Sequence, residues 1–207
     1  MAAAPISYPP PPWRLTAMAR VSFWLTRPPA GFEAPPGWRP VTVAGRLFVG
    51  VGLATYGPGG DLAYGELVCA VLVRRGVKLA VTIPLIWVDS PASRTGARAL
   101  WAIPKELAEF QGAPPHFAAT GGRTLAYLDA ADGARAAHAL PGRFTVVQTR
   151  AGAAVETPVR LRARVRRAEA RWRLEGPLAF LSGERPLFSL RLEDARLVFG
   201  EAPATVR

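Results

Sequence analysis

Apolar residues fall into short runs that proline and glycine interrupt about every ten residues, and this pattern predicts strands and turns. Two of the runs, residues 64–73 and 79–88, are almost continuously apolar, which is typical of strands buried on both faces. Looser patterns predict further strands at residues 19–25, 41–54, 123–128, 142–149, 157–165 and 185–199, with Gly45 as a bend or bulge. The expected fold class is mainly β (α+β).

One segment between the strands has a helical pattern. Ser90 and Pro91 supply a helix N-cap followed by proline at the first helical position, and residues 92–101 suffice for about three helical turns. Pro104 ends this helix and favours an extended backbone at the residue before it. With one or two short helices and neither a linker nor an internal repeat, the sequence predicts a single domain over residues 1–207. Residues 1–13 would form its proline-rich arm.

Composition narrows the class of protein. Half of the 207 residues are apolar, which excludes a disordered chain, and no apolar run reaches the ~20 residues of a membrane helix. The N-terminal residues lack the charged and apolar regions of a signal peptide, and Cys69 has no partner for an intrachain disulfide. We therefore expect a cytoplasmic protein in a reducing compartment, without membrane association.

Arginine supplies most of the formal net charge of +11, since Lys78 and Lys105 are the only lysines. Four arginines at alternate positions from 160 to 166 share one strand face. Such a stripe could follow a nucleic-acid backbone, but a solvated face or a subunit contact explains it equally well, and glutamates interrupt it. We expect no nucleic-acid partner.

The sequence offers little for metal or nucleotide chemistry. His116 and His138 lie 22 residues apart without a neighbouring Cys or His, so we expect both to be surface or loop residues and predict no metal site. The chain contains neither a phosphate-binding Walker loop nor a dinucleotide-binding fingerprint, and no Gly-x-Ser-x-Gly elbow. We expect no cofactor.

The most informative residue is Lys105, which has apolar neighbours that include Trp101, Ile103 and Phe110. An ammonium in this setting either reaches solvent beside Glu106 or is buried, and burial lowers the pKa of a lysine. A neutral amine can attack a ketone and form an imine, which withdraws electrons from a neighbouring C–C bond as that bond breaks. Both interpretations remain open from the residues alone.

Several short motifs occur in the order and spacing of one enzyme family. They are Tyr8-Pro9, Tyr64-Gly65-Glu66, Val88-Asp89-Ser90, and Pro104-Lys105 with Arg98 seven residues before the lysine. Along nearly its whole length the chain resembles the acetoacetate decarboxylase family. The resemblance implies a strongly curved antiparallel sheet that closes into a cone or barrel around an apolar cavity. It also implies a β-keto acid substrate, a Schiff-base intermediate, loss of CO2, no metal or organic cofactor, and a homo-oligomer.

The same resemblance implies roles for individual residues of this sequence. Lys105 would be the Schiff-base nucleophile, Glu66 would handle the proton, and Arg98 would anchor the substrate carboxylate. Tyr64 and Trp101 would contact the substrate. The implied enzyme is a carbon–carbon lyase whose partner is a small keto acid or ketone.

Three positions depart from the family pattern. Glu106 replaces a second lysine, no acid occurs at residues 49–51 where the family has another pocket glutamate, and Met18 lies near the place of a pocket arginine. Arg14 and Arg20 are the nearest substitutes for that arginine. In an extended segment Glu106 would face away from Lys105, whereas an inward Glu106 would keep the amine charged. An altered set of acids also suits a Schiff-base aldolase or dehydratase, and a non-catalytic barrel that binds a small ligand is a further alternative.

Overall fold

The structure, a computed structural model, describes residues 6–29, 31–112 and 116–201. Residues 134–138 are described by their backbone only. The described residues form twelve strands, one α-helix and one 3₁₀ helix. The strands are β1 (Trp13–Thr26), β2 (Arg39–Pro40), β3 (Thr42–Val43), β4 (Arg46–Tyr56), β5 (Tyr64–Arg75), β6 (Lys78–Val88), β7 (Lys105–Leu107), β8 (Glu109–Gln111), β9 (Phe117–Thr120), β10 (Arg123–Arg150), β11 (Ala153–Leu174) and β12 (Phe188–Phe199). The α-helix, α1, spans Pro91–Trp101, and the 3₁₀ helix spans Gly176–Leu181.

Seven of these strands form a closed ring in the order β6-β5-β4-β1-β12-β11-β10. Neighbouring strands along this path are antiparallel. The ring closes where Val146 of β10 pairs in parallel with Val81 of β6. The predicted class, mainly β with a curved and mostly antiparallel sheet closed into a barrel, is confirmed.

Side-chain alternation explains why two runs of the sequence are apolar at almost every position. On β5, Val68 and Ala70 face the interior of the ring, whereas Leu67 and Cys69 pack into a second core on the outside. The rest of that outer core comes from Trp24 of β1, from β4, from Trp87 of β6, from the segment around β8 and β9, from the first part of β10, from the end of β11 and from the 3₁₀ helix. Strand β5 is therefore buried on both faces, as the sequence predicts.

The strands are longer and more continuous than the sequence indicates. The strands expected at 123–128 and 142–149 belong to one strand, β10, because β11 pairs with it along most of its length. Residues 41–54 divide into β3 and β4 around a turn in which Gly45 has a φ of 73°, so this glycine forms a turn instead of a bulge. Strands β7, β8 and β9 have only three or four residues and are too short to show a periodicity.

Helix α1 begins as predicted and packs over the interior of the ring. The Ser90 hydroxyl accepts a hydrogen bond from the backbone N–H of Ser93 at 3.2 Å, and Pro91 is the first helical residue. A Cβ atom at Gly96 would lie 2.6 Å from the ring of Trp13, so glycine permits the close approach of α1 to β1. Neither helix in the described ranges is long and apolar enough to cross a membrane.

Candidate active site

Lys105 is the first residue of β7, which runs parallel to β6 with Lys105 opposite Ile86. Helix α1 ends at Trp101, and after the left-handed C-cap residue Ala102 the chain turns back along β6. The Nε atom of Arg98 donates a hydrogen bond to the backbone oxygen of Lys105 at 2.7 Å, which ties β7 to the helix. The Lys105 side chain enters the ring and is 4% exposed.

The ammonium of Lys105 is fully hydrogen-bonded inside the protein. Its Nζ atom donates to Oε2 of Glu66 at 2.7 Å, to Oγ of Ser93 at 3.0 Å and to Oη of Tyr64 at 3.1 Å. A lysine ammonium has three N–H donors, so each of them has an acceptor. The charge is therefore buried at no loss of hydrogen bonds and beside a carboxylate of opposite sign.

A tyrosine on the neighbouring strand holds the other oxygen of Glu66. Tyr56 of β4 donates its hydroxyl to Oε1 of Glu66 at 3.0 Å. The register of the sheet places Tyr56 opposite Tyr64, and the two rings stack with their centroids 4.5 Å apart. Both oxygens of the buried Glu66 carboxylate thus have a hydrogen-bond donor.

Packing around β5 explains the Tyr64-Gly65-Glu66 motif. Alternation directs Tyr64 and Glu66 into the ring and turns Gly65 outwards. A Cβ atom at Gly65 would lie 2.9 Å from the ring of Phe110, so a larger residue would displace that aromatic side chain. The Gly65 backbone N–H also donates to Oδ1 of Asp89 at 2.8 Å. These contacts fix the start of β5 and with it the two side chains that bind Lys105.

The site shifts the pKa values of three groups. Burial lowers the pKa of the Lys105 amine, but Glu66 and, to a smaller extent, Tyr64 raise it, and the net shift is upwards. Burial is the largest cause that raises the pKa of Tyr64 to about 12 and that of Tyr56 well above its usual range, so both tyrosines keep their protons. Burial alone therefore does not decide the charge of Lys105, because Glu66 stabilises its ammonium form.

An apolar cavity of about 230 Å³ adjoins these residues inside the ring. Lys105 and Glu66 are the only charged side chains among the described residues that line it. Trp101 closes one end, where its ring lies 4.7 Å from that of Trp13 and 4.6 Å from that of Phe199, edge-on in both cases. The cavity therefore offers an amine, a carboxylate and two tyrosine hydroxyls at one end, and hydrocarbon elsewhere.

The structure brings together four of the five residues that the sequence singles out. Tyr64, Glu66, Trp101 and Lys105 line the same cavity. Arg98 does not join them, because its guanidinium lies on the outer side of α1, where it pairs with Glu106. The Glu106 side chain is exposed, so residues 105 and 106 do face opposite sides of β7.

The family's other pocket charges have no counterpart in this cavity. The residues of β1 that line the cavity are Trp13 and the odd-numbered positions up to 21, so Arg14 and Arg20 face outwards, and Arg20 pairs with Asp132 at 3.4 Å. At residues 49–51, Gly50 shares the inward face of β4 with Gly52. The cavity is accordingly less polar than the resemblance implies.

Sequence analysis missed two residues that touch the reactive pair. Ser93 is the third residue of α1 and reaches Lys105 because residues 93, 97 and 101 share the buried face of the helix. That spacing of four residues is visible in the sequence and could have identified Ser93. Tyr56 reaches Glu66 only through the register between β4 and β5, for which the sequence contains no local signal.

The remaining sequence candidates lie away from the cavity. His116 is exposed, and the side chain of His138 falls outside the described residues. No group of three or more His, Cys, Asp or Glu side chains in the described ranges is arranged to hold a metal ion. Three arginines of the β11 stripe pair with acids, as Arg160 with Glu201, Arg164 with Asp194 and Arg166 with Glu193.

Solved structures of similar fold cover nearly the whole chain. An acetoacetate decarboxylase from Legionella pneumophila subsp. pneumophila str. Philadelphia 1 is 16% identical with a TM-score of 0.66, over 95% of this chain and 89% of that chain. An acetoacetate decarboxylase-like enzyme from Sphingomonas wittichii RW1 is 16% identical with a TM-score of 0.63, over 92% and 91% of the two chains. The enduracididine biosynthesis enzyme MppR, complexed with pyruvate, is 14% identical with a TM-score of 0.64, over 93% and 90%. At these identities the likeness shows the fold.

Sequence comparison identifies the family. No curated protein matches the sequence. The sequence profile of the family described as acetoacetate decarboxylase (ADC) matches residues 29–142, which is more than half of the chain. Together with the closed ring and its buried lysine, this match shows that the chain belongs to the acetoacetate decarboxylase family.

Proposed function

We propose that this protein is a carbon–carbon lyase that forms a Schiff base between Lys105 and a β-keto acid and releases CO2 through an enamine. The observation that supports the proposal is the buried Lys105 amine, 2.7 Å from Glu66, at the closed end of an apolar cavity. A surface lysine would be hydrated and protonated, whereas this one has a base within hydrogen-bond distance and space for a carbonyl compound beside it.

The first step is the transfer of one proton from Nζ of Lys105 to Glu66. This transfer converts a buried ion pair into a neutral pair, which a low-dielectric cavity accommodates more readily than separated charges. Tyr56 keeps its hydrogen bond to the other carboxyl oxygen throughout. The free electron pair of the amine then attacks the substrate carbonyl carbon. The resulting carbinolamine takes up one proton from solvent as its oxygen leaves as water, which gives the protonated imine.

Cleavage follows from the electron demand of that iminium. The electrons of the bond to the carboxylate carbon move into the new C–C double bond of an enamine, and CO2 leaves without charge. Glu66 carries the proton that it received and can return it to the enamine carbon. Water then hydrolyses the iminium, which releases a ketone and the Lys105 amine. One keto-acid anion and one proton thus give one ketone and one CO2.

A second reaction class uses the same imine. The cavity has no cation besides Lys105 among its described lining residues, so a substrate carboxylate has no second charged contact. The related enzyme MppR is known in complex with the condensation product of pyruvate and imidazole 4-carboxaldehyde. An aldol condensation or dehydration at Lys105 is therefore the alternative activity, and it requires the same nucleophile.

Reductive trapping tests the proposal. Borohydride reduces an imine irreversibly, so incubation with acetoacetate or a longer β-keto acid should leave a covalent adduct that peptide mass spectrometry locates on Lys105. The chain provides a matched control, because Lys78 is its only other lysine and is exposed on β6. Trapping should disappear in Lys105→Ala and persist in Lys78→Ala. A folded native protein that gives no adduct with any keto acid or ketone would instead be a non-catalytic ligand-binding barrel.

A further inference from the structure

The apolar inner surface of the ring extends well beyond the residues near Lys105. Tyr64 and Ala70 both line the cavity, and at about 3.3 Å per residue they are about 20 Å apart along β5. Val81 of β6, Phe144 of β10 and Leu192 of β12 line the part of the cavity away from the polar end. The cavity is thus an elongated space with its reactive group at one end.

The strands continue past this cavity with apolar residues on the same face. Alternate positions of a strand point to the same side. Moving away from Lys105, the positions on the same face as Val81, Phe144 and Leu192 therefore lead to Leu79 on β6, Leu140 on β10 and Phe188 on β12. We call Leu79, Leu140, Phe144 and Phe188 the apolar rim. Each is between 39% and 58% exposed. Phe144 lines the cavity itself, and alternation places the other three on the same face of their strands. Phe188 also stacks on Phe23 of β1 at 4.7 Å, which continues the rim around the ring.

The two ends of the cavity therefore differ. At the Lys105 end, buried residues of α1 together with Trp13 and Trp101 fill the interior among the residues that the structure describes. At the other end the interior meets solvent at the apolar rim. A carbonyl carbon placed at Lys105 leaves only the direction towards the rim for the rest of the substrate.

The chemistry of the lining selects the kind of chain that fits there. Apart from Lys105 and Glu66, the described residues that line the cavity carry no charged side chain. A phosphate, a sugar or a second carboxylate on this part of the substrate would lose its hydration without a partner. Acetoacetate has only a methyl group beyond its carbonyl and would leave this surface unfilled. Exposed apolar surface that continues a ligand cavity is typical of a ligand-binding groove.

We propose that the substrate is a β-keto acid with a long unbranched hydrocarbon tail, which lies along the ring from Lys105 to the apolar rim. This inference rests on the proposed Schiff-base function and specifies its substrate. The carboxylate leaves as CO2 by the steps given above, and the product is a methyl ketone with the same tail. Each methylene that the tail buries lowers the dissociation constant about fourfold.

Substrate length is the variable that tests the inference. Release of CO2 is measured with acetoacetate, β-ketooctanoate and β-ketododecanoate. We expect kcat/KM to rise about fourfold per methylene and to level off once the tail passes the rim. Leu140→Asp, which puts a charge on the rim, should reduce the ratio of kcat/KM for the longest to the shortest substrate at least tenfold. Val43→Asp is the matched control, because Val43 is 55% exposed against 56% for Leu140 and lies on β3, outside the seven-strand ring. It should leave the ratio unchanged.

The outcomes separate this inference from the proposed function. An acetoacetate adduct on Lys105 together with a kcat/KM that is constant or falls with length overturns the tail and leaves the Schiff base standing. If no substrate gives an adduct, the proposed function fails. Calorimetry then still tests whether the ring binds a hydrocarbon tail, by comparing the dissociation constants of methyl nonyl ketone and acetone. Binding of the long ketone more than tenfold tighter supports it, and equal binding overturns it. A Leu140→Asp variant that changes the molar mass of the protein in solution, with selectivity unchanged, would identify the rim as a contact between copies of the chain.

Discussion

Replacement of Glu66 by glutamine tests how Lys105 is controlled. Glutamine keeps the size of the side chain and an oxygen that accepts the hydrogen bond from Tyr56, but it has no charge. In the native protein burial lowers the pKa of Lys105, and Glu66 is the largest of the causes that raise it. Without that carboxylate, burial dominates, and the pKa of Lys105 should fall below its ordinary value.

The size of the effect on stability follows from the burial of the pair. The side chains of Lys105 and Glu66 are 5% and 8% exposed, so solvent screens their interaction only weakly. Removal of one partner from a buried ion pair costs about 3–5 kcal/mol of unfolding free energy. A protein of this length loses about 2–4 °C in Tm per kcal/mol. We therefore expect Glu66→Gln to lower Tm by about 6–20 °C at neutral pH.

The pH dependence of this loss has a definite sign. In the native protein the raised pKa of Lys105 stabilises the fold fully below the unfolded value of about 10.4, and this contribution fades as the pH rises through the folded pKa. In Glu66→Gln the lowered pKa acts in the opposite sense. The variant gains up to about 1.4 kcal/mol per pH unit between its folded pKa and about 10.4. The difference in Tm should therefore narrow from about pH 7 to about pH 10.

Trapping and turnover should respond differently to the same substitution. A Lys105 of lower pKa is neutral at lower pH, so the borohydride adduct should form at lower pH than in the native protein. Decarboxylation should nevertheless slow by about 10²–10⁴, because no carboxyl group returns the proton. Glu106→Gln is the control, since this acid pairs with Arg98 on the outer face. If both variants behave alike, or if the Tm difference widens at high pH, Glu66 does not set the protonation of Lys105.

Three further predictions concern the surroundings of the pair and the assembly. Tyr56→Phe removes the 3.0 Å hydrogen bond to Glu66 and should lower the free energy of unfolding in denaturant by about 1–3 kcal/mol. It should also lower kcat more than it changes KM. An unchanged free energy of unfolding contradicts this prediction. Gly96→Ala places a Cβ atom 2.6 Å from Trp13 and should cost about 1–3 kcal/mol despite the better helix propensity of alanine, so a Tm equal to the native one refutes the packing argument. The predicted homo-oligomer should give a sedimentation-equilibrium mass above that of one chain.

Local patterns in the sequence indicate only part of the surroundings of Lys105. The apolar neighbours Trp101 and Ile103 fit a buried amine but left an exposed one open, and alternation places Tyr64 and Glu66 on one face of a strand without linking them to Lys105. The fold class also follows from local signals, since proline and glycine interrupt short apolar runs. The continuity of β10 could not be predicted in the same way, because it depends on the long pairing with β11.

The outward orientation of Arg98 could have been predicted from the helical periodicity of the sequence. Ser93, Ala97 and Trp101 are spaced by four residues and form the buried face of α1. Arg98 is displaced from Ala97 by one residue, or about 100° around the helix, and so belongs to another face. Helical periodicity predicts an outward guanidinium here, whereas the resemblance to the family implied a contact with the substrate. The structure agrees with the periodicity, and the hydrogen bond from Arg98 to the Lys105 backbone gives this arginine a positioning role.

A protein can provide a neutral lysine amine near pH 7 in two ways. A neighbouring cation or burial can lower the pKa of the lysine, or a base within hydrogen-bond distance can take the proton. The residue after Lys105 is Glu106, which is an anion and faces Arg98 on the outside, while Glu66 lies 2.7 Å from the amine. The geometry therefore favours the second way.

These two ways predict different pH profiles. If the proton remains within the Lys105–Glu66 pair while the imine forms, solvent pH barely changes the fraction of neutral amine. We then expect kcat/KM for a β-keto acid to stay constant from about pH 6 to about pH 9. A lysine with a lowered pKa would instead give a rate that rises tenfold per pH unit up to that pKa. Such a rise in the native protein refutes proton transfer within the pair. A flat native profile that becomes pH-dependent in Glu66→Gln assigns the activation of Lys105 to its buried carboxylate.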